Sequence, residues 1–178
     1  MVCMYNLHPL FVHFPIALLF LYSILKVLPT KRLFPLVSWR QIERTLLVFG
    51  VLGAFVALGS GETAEYLTRP DRQLVEAHAF FAAMATWLYG ALLVGELLAI
   101  INPLITNNLK IRQKKEPMVL GLMVSFEKLL ANQILSVCMA IVALIAIALT
   151  GLLGGVMVYG VSADPVAPMV LKLLGITL

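Results

Sequence analysis

Long apolar runs alternate with short polar ones along the whole chain. The first, Leu10 to Leu28 (LFVHFPIALLFLYSILKVL), has Lys26 as its single charged residue. The second, Leu46 to Gly61 (LLVFGVLGAFVALGSG), starts a turn earlier, near position 44. The third runs from His78 to Ile101 and the fourth from Leu135 to Tyr159. Crossing the hydrocarbon core takes roughly 20 mostly apolar residues, so each run has the length of a membrane span. A lone segment in lipid must satisfy its own backbone N–H and C=O groups, which a helix does. Recurrent small residues, with Gly and Pro inside the runs, argue against a barrel. The pattern therefore predicts an all-α integral membrane four-helix bundle. It forms a single transmembrane domain over 1–178, with spans near 10–28, 44–61, 78–101 and 135–159.

Two further apolar stretches are too short or too polar to cross. Met118–Gln133 lies in the 102–134 loop. It is expected either along the interface as an amphipathic helix or as an extension of the fourth span. The tail Pro165–Leu178, with two prolines, is expected at the interface on the outer side. Lipid supplies no hydrophobic drive between helices, so small residues must let the backbones approach. Gly50, Ala54, Ala57 and Gly61 supply such a face on the second span. Ala140, Ala143, Ile147, Gly151 and Gly154 supply one on the fourth.

Composition sharpens this picture. Of 178 residues, 61% are hydrophobic and 12% charged, with mean hydropathy +0.99. Soluble domains are about 45–50% apolar and about 25% charged, so a soluble domain, a disordered tail and a disulfide scaffold are excluded. The net charge of +4 is not gathered on one polar face, which argues against nucleic acid. No basic residue precedes the first run and no small-residue cleavage site follows it, so that run reads as a retained span. Ten of the thirteen basic residues fall in the loops after spans one and three: Lys26, Lys31, Arg32, Arg40, Arg44, Lys110, Arg112, Lys114, Lys115 and Lys128. By the positive-inside rule these loops are cytoplasmic, and both termini and the 62–77 loop face the periplasm or exterior. The expected location is a prokaryotic cytoplasmic (inner) membrane. Cys3 and Cys138 lie near opposite faces and read as structural.

Candidate chemistry collects at the outer ends of the spans. His8, His13 and His78 are the only histidines; Glu62 and Glu65 follow span two, and Glu76 precedes span three. Ionisable groups at membrane depth are costly and usually functional. His8 and His13 are five residues apart, about 140° around a helix, so one of them points squarely inward. His13, the deeper, is expected to be that one unless Pro15 breaks the helix. His78 shares its face with Ala82, Ala85, Tyr89 and Glu96. A b-type haem needs an imidazole from each side and an apolar slot lined by small residues; His13 and His78 would supply the ligands, with His8 as substitute. A second arrangement, His13, His78, Glu62 and Glu65, would suit zinc, iron or manganese. Glu96 is expected to snorkel, to pair with a basic residue such as Lys110, or to accept protons.

The segments HPLFVHFPIALL, GETAEYL followed by EAHAFFA, and TGLLGGVMVYG resemble the four-span prokaryotic membrane family catalogued as domain of unknown function 2231. The resemblance covers nearly the whole chain. Some relatives resemble redox-associated proteins found beside cytochrome c or Rieske modules, which implies electron transfer rather than transport. The family's histidines map onto His8, His13 and His78. Many relatives carry another histidine after the Val-Tyr of the last span, where this chain has Gly160-Val161.

The leading expectation is a membrane electron-transfer protein or subunit holding haem b near the outer face between helices one and three. It is a subunit sooner than a stand-alone enzyme, passing electrons between a quinol or periplasmic carrier and a partner membrane or periplasmic redox protein. Glu62 and Glu65 would then sit behind the ligands or handle protons. The rivals are a cofactor-free accessory subunit of a larger membrane complex and a His/Glu metal-binding membrane protein. Transport is disfavoured, since no pair of broken helices and no charged path crosses the midplane.

Overall fold

In a computed structural model, which describes residues 7–108 and 118–178, the four apolar runs are helices within longer helices. The elements are α1 (His8–Val27), α2 (Thr30–Leu33), α3 (Trp39–Thr68), α4 (Arg72–Asn108), α5 (Met118–Leu130), α6 (Gln133–Tyr159) and α7 (Ala167–Leu173), with a 3-10 turn at Val161–Ala163. α1, α3, α4 and α6 each have the length and apolar character to cross a membrane. The chain is thus a multi-pass membrane protein built as an all-α four-helix bundle. Lys110, Arg112, Lys114, Lys115, Glu116 and Cys3 lie outside the described residues, as does the side chain of Lys31.

Helix ends follow local chemistry. Pro9 sits in the first turn of α1, where its missing N–H is not needed. Pro15 lies inside α1, yet the helix runs on through it. α4 starts where the Asp71 carboxylate accepts from the N–H groups of Gln73 (2.8 Å) and Leu74 (3.3 Å). α6 starts where Asn132 Oδ1 accepts from Leu135 N–H at 3.1 Å. Gly160, at φ +79°, ends it.

The 62–77 segment, expected as a loop, is almost wholly helical. α3 extends to Thr68 and α4 begins at Arg72. The turn between them puts Arg69 in the left-handed region at φ 46°, which costs a side-chain-bearing residue roughly 1–2 kcal/mol. Replacing it with glycine removes that strain but adds freedom to the unfolded chain. Arg69→Gly should therefore stabilise the protein by about 0.5–1 kcal/mol, read as a higher midpoint of thermal unfolding in detergent; an unchanged or lower midpoint counts against it.

The bundle is a ring of four built from two closely packed pairs. α1 packs along α3 and α4 along α6; contacts of α3 with α4 and of α1 with α6 close the ring. In the first pair, Leu19 lies over Gly50 and the ring of Pro15 over Gly53. At the centre, Leu19, Tyr22, Leu47, Val51 and Ala54 meet Ala85, Tyr89, Leu92, Ala140, Ala143, Ala146 and Ile147. Ser23 and Tyr89, both wholly buried, share a 2.7 Å hydrogen bond across the ring. The Tyr22 and Tyr89 rings meet edge to face with centroids 6.0 Å apart. Large apolar side chains such as Phe49, Leu52, Trp87 and Ile145 are exposed, as lipid-facing positions must be.

Both leftover stretches are helical. α5 is separate from α6 and packs back on α4: Leu130 sits over Gly95, and Asn102 donates to Glu127. The tail lays α7 over the ends of α4 and α6. There Ala167, Leu171 and Ile176 pack on Leu74, Leu153 and Val156. Thr177 N–H donates to Gln73 Oε1 at 3.3 Å.

Candidate functional site: a histidine pair at one end of the bundle

Two of the three histidines are built into the bundle, one on each helix pair. His8 opens α1 and reaches its own neighbour α3, where its Nδ1 lies 2.7 Å from Ser60 Oγ. The Ser60 hydroxyl donates its one proton to the Ala57 carbonyl at 2.8 Å. In the bond to His8 the hydroxyl oxygen must therefore accept, so Nδ1 carries the proton. His78, near the start of α4, reaches its own neighbour α6 and places Nδ1 3.0 Å from the Thr150 carbonyl oxygen. A carbonyl only accepts, and its second lone pair is free for such a bond. Nδ1 is again the donor.

The two bonds have one consequence. In the neutral imidazole one ring nitrogen bears the proton and the other a lone pair. Hydrogen bonding at Nδ1 leaves Nε2 as the basic nitrogen on both rings. This is how proteins orient a metal-ligating histidine, with the remote N–H fixed by a backbone or side-chain acceptor. His8 also contributes to the electrostatic field at His78, although seventy residues separate them in sequence.

Glycine makes room for both rings. A Cβ at Gly154 would lie 3.3 Å from His78 Cε1 and 3.6 Å from its Nδ1. A Cβ at Gly61 would lie 3.8 Å from His8 Cε1. Gly154 thus allows the His78 ring to reach the Thr150 carbonyl one helical turn away. Both glycines belong to the small-residue faces expected from sequence. Gly151, from the same pattern on α6, is exposed and touches nothing a Cβ would meet.

His13 is placed differently from expectation. It is exposed, and its Nδ1 bonds to the Pro9 carbonyl of its own helix. The inward face of α1 is Pro15, Leu19, Tyr22 and Ser23. His8 is seven residues before Pro15 and shares that face; His13, two residues before it, is about 200° away. Glu62 and Glu65 are exposed on the last turns of α3. Among the described residues no three His, Cys, Asp or Glu side chains converge as a metal-binding group. Of the candidate residues, His8 and His78 are part-buried in the bundle, whereas His13, Glu62 and Glu65 are exposed.

Glu96 marks the opposite end. It accepts from Arg44 Nε at 2.8 Å, with Arg40 Nε at 3.6 Å, so among the described residues its partners come from α3; Lys110 lies outside them. Lys26 and Glu43 make a looser pair nearby on α1 and α3, at 3.9 Å. Cys138 is exposed.

The chain matches no family model, no curated protein and no solved structure.

Proposed function

We propose that this protein is a membrane electron-transfer protein or subunit of the type catalogued as domain of unknown function 2231, holding a b-type haem at the histidine end. The observation that carries the reading is the pair His8 and His78. Each ring comes from a different helix pair, is fixed through Nδ1 and keeps Nε2 as the basic nitrogen. Bis-imidazole ligation needs two such nitrogens approaching from opposite sides. The donor set fits the group in a second respect: imidazole is a neutral ligand, and among the described residues no carboxylate joins the two rings in a metal-binding group.

In this reading His8 and His78 would hold the haem iron. Ser60 and the Thr150 carbonyl hold the rings in register and raise their basicity as ligands. Gly61 and Gly154 keep the space beside the rings free of side chains. A bound haem would supply one-electron chemistry. The apolar bundle would exclude water, and the exposed outer turns of α3 and α4 would meet a quinol or a periplasmic redox partner. The basic loops set the orientation, with the arginine end in the cytoplasm of a prokaryotic cell and the histidine end outside.

The test is a dithionite-reduced minus oxidised spectrum of detergent-purified protein expressed with ample haem supply, with haem quantified per chain. The expected result is a sharp b-type α-band at near-unit stoichiometry. A featureless spectrum from folded protein overturns the reading and leaves the accessory-subunit alternative. A stoichiometric non-haem metal would overturn it in favour of a metal-binding protein.

A further inference from the structure

The arginine end carries a hollow of about 540 Å³ between the α2–α3 loop and the first turns of α3, lined among others by Ser38, Trp39, Arg40, Gln41 and Arg44. Its charges do not balance. Arg40 and Arg44 converge on a single carboxylate, Glu96, which takes its short bond from Arg44. The Arg40 contact is long, at 3.6 Å, and its side chain is 60% exposed. Two guanidinium groups against one carboxylate leave one positive charge in the hollow, with the Arg40 donor fork largely unspent. Lys26 and Glu43 pair with each other nearby at 3.9 Å.

The surroundings suit a lipid-facing site. Leu33, Phe34 and Leu36 on the same connection are 61%, 59% and 99% exposed. A chain that spans the membrane places such side chains among acyl chains. Trp39 sits beside them, packed on Phe34 with ring centroids 6.2 Å apart and its indole N–H donating to the Phe34 carbonyl at 2.9 Å. Trp is the residue favoured at headgroup depth. Ser38 and Gln41 are exposed at the hollow's rim and can donate further hydrogen bonds. Guanidinium recognises phosphate by a planar, two-pronged contact.

We infer that this hollow binds the phosphate of an anionic phospholipid headgroup, with Arg40 as its principal ligand and Arg44, held by Glu96, behind it. The acyl chains of that lipid run along Leu33, Phe34 and Leu36. The site is independent of the histidine pair and stands whether or not haem is bound.

The full-length protein in detergent, titrated with phosphatidylglycerol or phosphatidylcholine and read by native mass spectrometry, tests this. The wild-type chain should prefer phosphatidylglycerol. Arg40→Gln, at an exposed position that should not disturb folding, should weaken that binding about tenfold, the scale of one lost charge-assisted hydrogen bond. Arg72→Gln, an exposed arginine at the other end of the bundle, should leave it unchanged. Equal binding of both lipids overturns the proposal, as does a preference that survives Arg40→Gln. It is also overturned if Arg72→Gln lowers binding as much as Arg40→Gln, or if the preference is lost only on neutralising Lys110, Lys114 and Lys115. Competition by inorganic phosphate separates the two sources of the ligand. Failure of millimolar phosphate to displace the lipid supports a headgroup anchored by its chains. Displacement by it overturns the lipid assignment and leaves a free-phosphate site.

Discussion

His78→Ala should abolish the reduced α-band, while His13→Ala should leave it in place. The contrast follows from where the two rings sit. His78 is half-buried, hydrogen-bonded to the Thr150 carbonyl and seated over Gly154; His13 is exposed and bonded to its own helix. If the proposed haem is bound, His78 is a ligand that no other described histidine or carboxylate can replace, since no third such group converges there. His8→Ala should also remove the low-spin spectrum. Ser60→Ala should give a milder loss, because it removes only the acceptor that orients His8; changes of that kind typically cost about 10–100-fold in metal affinity. The measurement is haem per chain and the α-band in each variant, with circular dichroism to confirm helix content. If His13→Ala loses haem and His8→Ala retains it, the assignment to His8 is wrong.

That contrast also marks how far the sequence could be read. Spans one to four were legible because apolar length is a one-dimensional property. The faces of α3 and α4 were legible as well. Gly50 and Ala54 are buried and Ala57 and Gly61 half-buried, and Ala85 and Tyr89 are buried on the His78 side of α4. Between His8 and His13, depth favours His13 and azimuth favours His8, and the fold follows azimuth. In a membrane helix hydrophobicity does not mark the inner face, since lipid is as apolar as the core. Polar and small residues mark it instead. On α1 those are His8, Pro15, Tyr22 and Ser23, a stripe that includes His8 and omits His13. The signal was present in the order of residues and needed only to be read as an angle.

Other departures have different causes. The 62–77 stretch carries six charged residues and reads as a loop, because charge usually marks the end of a span. α3 instead continues beyond its apolar run to Thr68, and Asp71 caps α4 at once. No local pattern joins Arg44 and Arg40 to Glu96, because fifty-odd residues of chain separate them and only the antiparallel packing of α3 on α4 brings the charges to one level. Ser60 and Thr150 had no sequence signal as partners of the histidines. A backbone carbonyl such as that of Thr150 is present at every position and is selected by packing alone.

The closest approach in the bundle gives the largest expected effect on stability. A Cβ added at Gly50 would lie 2.6 Å from Leu19 Cδ2 and 2.7 Å from its Cγ. Leu19 is wholly buried and cannot swing away, so Gly50→Ala must push α1 off α3. Overpacking of this kind costs about 1–3 kcal/mol. The same change at Gly59, nine residues along the same helix, meets nothing within 4 Å and should be neutral or slightly stabilising. Backbone propensity is common to both changes, so the difference isolates the steric contact. Leu19→Ala alone should cost about 2–5 kcal/mol through the cavity it leaves. In the double variant the new methyl of residue 50 occupies part of that cavity. The pair should therefore be more stable than the sum of the two single losses by about 1 kcal/mol or more. Reversible unfolding in a denaturing-detergent titration measures all four variants against the wild type. Strict additivity, or a loss at Gly59→Ala equal to that at Gly50→Ala, would show that Gly50 is not where α1 and α3 lock together.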